Sequence, residues 1–584
     1  MAKKIWKLKP KIPEDVAEEL SEFHPLIRQL LYNRKYLNKK SAKEFLESNY
    51  KEGLSSPLLF KDMQKAAARI WQAFENEEKI FIYGDYDADA VTANAVLRLT
   101  FRYLDFEAES YIPDRFTEGY GVNLEALEKL RAQGAKLIIT VDCGTNSVEA
   151  AKWCKKNNID FIITDHHEII GELPEAFALI NPKNPYDNYP YSELTGVGVA
   201  FKLAQAVLLD QDKVEFQKKK AAPTLRPGQP AAAAAGWEKW LLDLVAIGTV
   251  ADCHSLTGEN RILVKYGLLV LIKSRWIGLK SLCQKAGLNF TKKLPDAYTL
   301  GFILGPRLNA AGRLEHANIA LNLLLETDSA LAAKQADTLE QLNAKRQDIT
   351  ARIFSEAREK AVLLDNKKII VLLGENWPKG IVGLVAGKIS EEFYRPTIVL
   401  EKGEEESTGS ARSIGEFNIV KALSNAAEHL VRFGGHKQAA GLTLKNENFE
   451  KFYEQILNYA NEFLKDEDLE RVLELEAELG ESTLSMEVYR QILGLEPFGF
   501  GNPKPKFFLK NIRLESLKAV GNAKQHLQMR LQIGEKNISA IFFSGSNFAK
   551  NLAIGDTLEV AAELMEDGWN GKKDIKLKII DINK

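Results

Sequence analysis

Apolar residues in this chain first gather in short, uninterrupted runs that alternate with helical stretches. The runs KIFIYG at 79–84, AKLIITV at 135–141 and DFIITD at 160–165 are typical of strands buried on both faces of a parallel sheet. The segments 123–134 and 146–157 between them repeat apolar residues with a helical period. Strands alternating with helices predict β-α-β units, and therefore an α/β fold with a doubly wound parallel sheet.

The second half of the chain changes pattern twice. Helical periodicity over 331–362 predicts a long helix that connects two lobes, and the run KKIIVLLGEN at 367–376 begins a second α/β pattern. Beyond about residue 468, short alternating runs at 527–534, 538–545 and 556–566 predict a small antiparallel barrel.

These patterns predict several domains in series, as a chain of 584 residues requires. The segment 211–236 combines a basic run, three prolines and an alanine tract, and we expect a surface insertion there. The expected ranges are an N-terminal helical extension at 1–61, a doubly wound α/β domain at 62–330, a connecting helix at 331–366, a second α/β domain at 367–467 and a barrel at 468–584.

Composition adds little to this picture. A formal charge of −2 gives no global signal for nucleic acid, so any basic surface must be local. Cys143, Cys154, Cys253 and Cys283 form no CxxC pair, which favours a reducing cytoplasm. The start MAKKIWKLKP lacks a signal-peptide core and no uncharged apolar stretch reaches about 18 residues, so we expect neither secretion nor membrane spanning.

Acidic residues crowd the end of the first predicted strand. Asp85, Asp87 and Asp89 in GDYDADAVT directly follow the run IFIY. Their mutual repulsion costs stability unless a cation or basic groups neutralise it. Carboxylate oxygens suit Mg²⁺ or Mn²⁺.

The next two predicted strands end in similar residues. VDCGT places Asp142 after one strand, and TDHHE places Asp165, His166 and His167 after the next. Ligands of doubly wound sheets bind outside the carboxyl ends of the strands, so these side chains should converge. Mixed carboxylate and imidazole ligands suit manganese, and two bridged ions promote phosphoester hydrolysis.

A structural explanation exists for each acid taken singly. Aspartate at a strand end is more often the N-cap of the following helix than a metal ligand. Acids at three consecutive strand ends favour a site instead. A further ligand is expected in LLDLVAIGTVADC at 241–253, where we prefer Asp252 over Asp243.

Nine motifs together resemble the DHH phosphoesterase superfamily, whose name is the triplet 165–167. They extend over nearly the whole chain: GDYDADAVT, IPDRFTEGYGV, VDCGT, TDHHE, LVAIGTVAD, GPRLNAAGR, GSARS, FGGHKQAAG and PFGFGNPKP. The resemblance implies a doubly wound DHH core, a second α/β DHH-associated lobe joined to it by the long helix, and a C-terminal OB-type β-barrel.

Within this superfamily the chain is most similar to exonucleases specific for single-stranded DNA. The resemblance implies 5′–3′ hydrolysis that releases 5′ mononucleotides in DNA repair and recombination, with two divalent cations, Mn²⁺ or Mg²⁺. It implies the metal ligands Asp87, Asp89, Asp142, His166 and Asp252, with Asp142 as the bridge. Asp85, Asp165 and His167 match catalytic or supporting positions.

The second lobe is expected to hold the substrate. Paired glycines in FGGHKQAAG allow a phosphate close to the backbone, and guanidinium groups bind phosphate as forks. Individual arginines also have a structural explanation as salt-bridged side chains. The expected phosphate-binding residues are Arg115, Arg307, Asn309, Arg313, Ser410, Arg412, Gly434, Gly435 and His436.

The expected partner is single-stranded DNA, with a RecQ-type helicase and a single-stranded-DNA-binding protein as further partners of a monomer. Two rival functions remain open. A phosphodiesterase of short oligoribonucleotides or cyclic dinucleotides would share the metal core, although such relatives generally lack GPRLNAAGR and the barrel. A catalytically inactive replication scaffold would show broken metal motifs, whereas every expected ligand type is present here.

Overall fold

The computed structural model describes residues 4–115, 117–119, 121–221, 236–567 and 574–584. These residues form two compact units. The large unit comprises Lys7–Leu308, Ala317–Ala336 and Glu474–Lys584, and the small unit comprises residues 4–6, Asn309–His316 and Asp337–Leu473. No helix in this described part of the chain has the length and apolarity needed to cross a bilayer.

The chain up to the end of the long helix contains six strands and sixteen α-helices among the described residues. In chain order they are β1 (Ile5–Leu8), α1 (Glu14–Glu19), α2 (Pro25–Asn33), α3 (Lys39–Glu47), α4 (Tyr50–Gly53), α5 (Met63–Glu75), β2 (Ile80–Gly84), α6 (Ala88–Tyr103), β3 (Glu109–Tyr111), α7 (Leu124–Ala132), β4 (Leu137–Val141), α8 (Val148–Lys156), β5 (Asp160–Thr164), β6 (Ala178–Ile180), α9 (Gly196–Leu208), α10 (Gln211–Ala221), α11 (Leu242–Ala251), α12 (Gly258–Leu271), α13 (Ile277–Lys285), α14 (Gly305–Leu314), α15 (Asn318–Leu325) and α16 (Ser329–Val362).

The predicted parallel sheet is confirmed. Its strand order is β3-β2-β4-β5-β6, and every pair is parallel. Strands β2 and β4 are fully buried, as their uninterrupted apolar runs predict. Because β2, β4 and β5 are neighbours, their carboxyl ends lie side by side at one edge of the sheet.

The predicted surface insertion differs in part from the structure. Its first residues form α10, in which Val214 is buried and the ammonium of Lys218 donates to the carbonyl of Tyr103 at 3.0 Å. This helix therefore packs against the rest of the large unit, because Val214 is buried although its neighbours in the helix are charged. Residues 222–235 lie outside the described residues.

The small unit contains a five-stranded sheet of order β10-β11-β9-β8-β7, in which β7 and β8 are parallel and the other pairs antiparallel. One face packs against α17 and the C-terminal half of α16, and the other against α18 and α19. The elements are β7 (Ile370–Gly374), α17 (Lys379–Phe393), β8 (Thr397–Lys402), β9 (Glu406–Arg412), α18 (Ile419–Asn425), β10 (Arg432–His436), β11 (Ala439–Lys445) and α19 (Phe449–Phe463).

The predicted C-terminal barrel is also present, closed by a pairing of its first and fourth long strands. The expectation that all its strands are antiparallel is wrong, because β16 and β18 are parallel. Phe507 and Phe542 point into its core, whereas Phe543 is half-exposed. The elements of this part of the chain are β12 (Val472–Leu475), which lies outside the barrel sheet, β13 (Ala477–Glu478), α20 (Met486–Leu493), β14 (Phe507–Val520), β15 (His526–Ile533), β16 (Lys536–Phe542), β17 (Thr557–Asp567) and β18 (Asp574–Asn583).

The N-terminal helices share one apolar core with this barrel rather than forming a separate body. Leu30 and Phe45 lie in the same buried cluster as the barrel strands. The buried guanidinium of Arg261 in α12 donates to the carbonyls of Phe45, Gly494 and Leu495 at 2.9, 3.2 and 2.7 Å. These hydrogen bonds tie the parallel-sheet region to both.

Candidate active site

The carboxyl edge of the parallel sheet collects the acidic motifs. Asp85 follows β2, and Asp87 caps α6, where its Oδ1 accepts from the backbone amides of Asp89 and Ala90 at 2.9 and 3.1 Å. The cap explanation therefore holds for one oxygen of Asp87. Asp89, buried in the first turn of α6, accepts from the amides of Gly196 and Val197 at 2.7 and 2.9 Å, at the N-terminus of α9.

Asp142 occupies the centre of the cluster in an unusual backbone conformation. Its φ is +60°, a left-handed value that residues other than glycine rarely adopt. Such backbone conformations are concentrated at functional sites. A Cβ on Gly196 would lie 2.6 Å from Oδ1 of Asp142, and one on Gly248 would lie 2.8 Å from Oδ1 of Asp89. These two glycines, which sequence reasoning missed, make room for the carboxylates.

His166 faces several of these carboxylates at once. Its Nε2 lies 2.9 Å from Oδ1 of Asp142, 3.7 Å from Oδ2 of Asp252 and 3.9 Å from Oδ2 of Asp89. The carboxylates thus come from the ends of β4 and α11 and from α6. Residues far apart in sequence therefore converge on one imidazole.

Asp165 and His167 are linked to each other. Nδ1 of His167 lies 2.8 Å from Oδ1 of Asp165, whose other oxygen accepts from the amide of Thr145 at 2.8 Å. The buried amide of Asn181 donates to the carbonyl of His167 at 2.9 Å. Asp165 is thereby saturated with hydrogen bonds and orients the ring of His167, and Thr145 and Asn181 are further supports that the sequence did not indicate.

The electrostatics of the cluster reflect carboxylates crowded out of water. Burial, together with the charge of a neighbouring acid, raises the pKa values of Asp85, Asp87, Asp89 and Asp142. Burial lowers the pKa of His166 to about 3, so its imidazole is neutral. The site therefore favours whatever positive charge can enter it.

Two carboxylates of the site have lowered rather than raised pKa values. Burial opposes ionisation of Asp165, but the hydrogen bond to His167, the nearby imidazoles and the amide of Thr145 together lower the pKa of that carboxyl. Burial likewise opposes ionisation of Asp252, but its contact with His254 and the nearby imidazoles together lower its pKa. For His167, burial lowers the pKa, but the hydrogen bond and charge of Asp165 together with the charges of other nearby carboxylates raise it overall.

The donor set fits divalent cations. Among the described residues, Oδ1 of Asp142 and Nδ1 of His166 are buried without a hydrogen-bond partner. Buried polar atoms are rarely left so, and neutral imidazole with carboxylate oxygens is a mixed set that Mn²⁺ accepts. One ligand atom from each of four residues lies within 4.8 Å of the other three, namely Asp142, Asp165, His166 and His167.

Asp252 and Asp243 lie at opposite ends of α11. Asp252 follows the last turn and faces His166, whereas Asp243 is buried in the first turn and accepts from the indole of Trp276 at 3.0 Å. Only Asp252 is within reach of the cluster's imidazole. His254 was missed by sequence reasoning, although its position two residues after an expected ligand was a signal; its Nε2 lies 3.2 Å from Oδ2 of Asp252.

The expected phosphate-binding residues of the first motifs are spread over both units. The guanidinium of Arg115 lies 4.7 Å from the ring centre of Tyr86, next to the acidic turn. Arg307 donates to the carbonyl of Ile303 at 2.7 Å, and Arg313 to that of Gly380 at 3.1 Å. These two arginines thus have structural contacts, and Asn309 lies between them on α14, partly buried.

The remaining expected residues lie in the small unit, and all except Gly435 share a surface that we name the glycine-rich strip. Strand register aligns Gly434 with Gly441 and Ser410 in one row, and His436 with Ala439 and Arg412 in the next. Residues paired across strands, or two apart along one, share a face, so Ser410, Arg412 and His436 surround small residues. The strip is the face defined by Ser410, Arg412, Gly434, His436, Ala439 and Gly441.

The strip is accessible and its backbone is constrained. Gly434 and His436 are exposed at the edge strand β10. Gly435 has φ of +145°, and a Cβ there would lie 2.3 Å from the carbonyl oxygen of Ala439. Only glycine fits at that position, which explains one member of the pair. Arg412 also lines a cavity of about 430 Å³ with Ser413.

Three protein-family models match this chain in succession. The model for the DHH family, N-terminal domain, matches residues 79–249, that for the DHHA1 domain matches 366–466, and that for the RecJ OB domain matches 475–581.

Whole proteins and solved structures are similar over most of the chain. The single-stranded-DNA-specific exonuclease RecJ of Bacillus subtilis is 37% identical over 99% of this chain and 71% of its own length, and that of Haemophilus influenzae is 32% identical over 95% and 96%. The crystal structure of Thermus thermophilus RecJ with Mn²⁺ matches with a TM-score of 0.81 and 30% identity, covering 99% of this chain and 79% of that one. Its Mg²⁺ complex matches with a TM-score of 0.75 and 29% identity over 99% and 78%. The chain belongs to the RecJ family of DHH phosphoesterases.

Proposed function

We propose that this chain is a metal-dependent exonuclease that hydrolyses single-stranded DNA from its 5′ end and releases 5′ mononucleotides. The observation that carries the proposal is the convergence of acids and imidazole from three strand ends and α11. The relatives' names, which specify single-stranded DNA, and the Mn²⁺ and Mg²⁺ complexes of the Thermus protein support it. Repair and recombination are the processes that such trimming serves.

The metal ligands are assigned to the centre of the cluster. Burial and the surrounding carboxylates raise the pKa of Asp142, and cations bound there would offset this repulsion, so Asp142 is assigned as the ligand that two cations would share. Two divalent ions at such a site activate water and stabilise the charge that develops on phosphorus oxygens. The remaining ligands are Asp87, Asp89, His166 and Asp252.

The other residues of the cluster position groups around the reacting phosphate. Asp165 holds the ring of His167, which is a proposed contact to a phosphate oxygen. Asp85 is buried in the turn that follows β2, and Arg115, which lies over the ring of the neighbouring Tyr86, is a further proposed phosphate contact.

The glycine-rich strip is assigned to the phosphate at the end of the strand. The guanidinium of Arg412, the imidazole of His436 and the hydroxyl of Ser410 are donors on one face of the sheet. Gly434 and Gly441 leave the backbone between them open to a phosphate. Arg307, Asn309 and Arg313 are proposed to contact the strand in addition to their structural contacts.

Exposed aromatic rings provide surfaces on which unpaired bases stack. Tyr298 and Phe302 are 59% and 71% exposed and stack with ring centres 4.9 Å apart. The π-helical segment Thr299–Leu304 that carries Phe302 lies against the last turn of α11, since a Cβ on Gly301 would be 3.1 Å from Val250. Stacking of bases on such rings is tolerant of sequence, as an exonuclease requires.

The organisation and partners of the enzyme follow from this activity. We propose the domain roles that the sequence suggests, with catalysis at 62–330, phosphate binding at 367–467 and strand binding in the barrel at 468–584. All the assigned metal ligands come from one chain, which supports a monomer. Because duplex DNA is not its substrate, the enzyme requires a strand-separating RecQ-type helicase and meets single-stranded-DNA-binding protein in the cytoplasm.

The experiment is digestion of a long single-stranded DNA labelled at its 3′ end, with Mn²⁺, alongside matched RNA, duplex DNA and dinucleotides. The proposal expects progressive shortening of the labelled single strand and release of mononucleotides. Binding of long DNA without cleavage would instead favour a scaffold. If the protein cleaved only oligonucleotides of two to five nucleotides, a short-oligonucleotide phosphodiesterase would be favoured.

A further inference from the structure

His254 faces the metal cluster from the turn that follows α11. Asp252 ends the helix and Cys253 adopts a left-handed φ of +56°, which turns the chain back. The ring of His254 consequently lies with its centre 4.8 Å from that of His166, and its side chain is only 16% exposed. The turn therefore places a third imidazole beside the cluster.

One nitrogen of this ring has a fixed role. Nδ1 of His254 lies 3.1 Å from the carbonyl oxygen of Glu193, and since a carbonyl only accepts, Nδ1 carries the proton. The buried amide of Asn260 donates to the same carbonyl at 2.5 Å and to the carbonyl of Ser255 at 3.2 Å. A histidine whose ring is oriented by a backbone carbonyl is the usual arrangement of a metal ligand.

The other nitrogen points at the ligands. Nε2 of His254 lies 3.2 Å from Oδ2 of Asp252, which is itself a proposed ligand of the metal centre. One ligand atom each from His166, Asp252 and His254 lies within 4.8 Å of the other two, which is compact enough for one ion.

We propose that His254 is an additional nitrogen ligand of the cation at Asp252, and that it makes this position selective for Mn²⁺ over Mg²⁺. Mg²⁺ gains little from nitrogen because it prefers oxygen ligands and retains its water, whereas transition-metal ions accept imidazole. The inference rests on the proposed function, since it concerns the same metal centre. A simple ion pair between His254 and Asp252 would give no such selectivity.

The test compares Mn²⁺ and Mg²⁺ binding to the full chain by isothermal titration calorimetry, without substrate. In His254→Ala we expect Mn²⁺ affinity at one site to fall by about 10- to 100-fold, a loss that is typical even of groups that only support the ligands of a metal ion. Mg²⁺ affinity should change much less. His254→Gln, which replaces nitrogen by an oxygen donor, should bind Mg²⁺ at least as well as the wild type. His429→Ala, which removes an imidazole from the small unit, is the matched control and should bind like the wild type.

Melting of each metal-free variant identifies any loss of folding, and nitrogen modulation in the electron spin echo of bound Mn²⁺ reports the ligand itself. The modulation should weaken in His254→Ala. Equal losses for Mn²⁺ and Mg²⁺, or none for either, would overturn the inference while wild-type metal binding and cleavage left the proposed function intact. A wild-type chain that bound no Mn²⁺ would overturn both.

Discussion

The metal cluster and the glycine-rich strip differ in their exposure to solvent. In the cluster, Asp89, Asp142 and Asp165 are at most 3% exposed, and their carboxylates repel one another in a dry site. In the strip, Gly434 and His436 are exposed on an edge strand. Burial raises the free energy of unpaired charge, so the cluster is suited to hold cations, whereas the strip remains open to an incoming strand.

Glycine shows the same contrast. Gly196 and Gly248 are buried and let carboxylates approach helices α9 and α11 closely. A Cβ on Gly434 would meet no atom within 4 Å, so the missing side chain leaves open surface there. A glycine near a catalytic centre therefore makes room for protein atoms, and one on a recognition surface makes room for the ligand.

The largest loss of activity is expected from a change in the metal cluster, at Asp142. Asp142→Asn removes one charge and keeps the shape, and we expect cleavage of single-stranded DNA to fall by about 1,000-fold or more because the metal centre is lost. Initial rates with Mn²⁺ measure this effect. Asp243→Asn makes the same chemical change in the first turn of α11, at the opposite end of that helix from Asp252, and should cleave like the wild type. Comparable loss in both variants would assign the effect to folding.

The strip is tested by Arg412→Ala and His436→Ala. Loss of a charge-assisted contact should lower kcat/KM by about 10- to 100-fold, while the number of bound Mn²⁺ ions stays unchanged. A 5′-phosphorylated strand should lose more than a 5′-hydroxyl strand. If both substrates lose equally, the strip does not bind the terminal phosphate.

The exposed pair Tyr298 and Phe302 belongs to the large unit, as the buried metal cluster does, and therefore tests whether an exposed surface of that unit binds the strand. Tyr298→Ala with Phe302→Ala should raise KM for long single strands about 5- to 10-fold through lost base stacking, with kcat little changed. Dinucleotide cleavage, which needs no extended strand, is the internal control. A fall in kcat with unchanged KM would contradict a role in binding.

Much of the fold was predictable because local patterns reflect it directly. The buried runs of β2, β4 and β5 identify the parallel sheet. The barrel was less accessible: irregular pairing in β14 between Leu514 and Ser516 disturbs its alternation, and the parallel pairing of β16 with β18 depends on tertiary contacts. Helix α10 was missed because its many charges suggest a solvated segment.

For the site, the sequence indicates which residues carry the chemistry but not how closely the helices pack around them. The acids at strand ends are recognisable because topology alone brings them to one edge. Gly196 and Gly248 have no chemical signature, and their role depends on how α9 and α11 pack. Whether Asp252 or Asp243 faces the cluster likewise depends on the direction of α11, since both lie at ends of the same apolar run.

The smallest expected effect concerns the buried acid that the cluster does not use. Burial raises the pKa of Asp243 from 3.8 to about 7, although donors such as Trp276 oppose the shift. In that window the folded protein keeps a proton that the unfolded chain has lost, so the free energy of unfolding should fall as pH rises from 3.8 towards 7. Urea unfolding of metal-free protein at about pH 5 and about pH 7 measures this slope. Asp243→Asn should flatten it, and an unchanged slope would assign the dependence to other groups.

Separate segments of the chain are proposed to build one site for two divalent cations. The number of Mn²⁺ ions bound per chain at saturation should be measured in the wild type and in Asp142→Asn. We expect two ions in the wild type and fewer in the variant, because Asp142 is the proposed bridging ligand. Two ions in both proteins, or none in the wild type, would contradict a two-cation site that depends on Asp142.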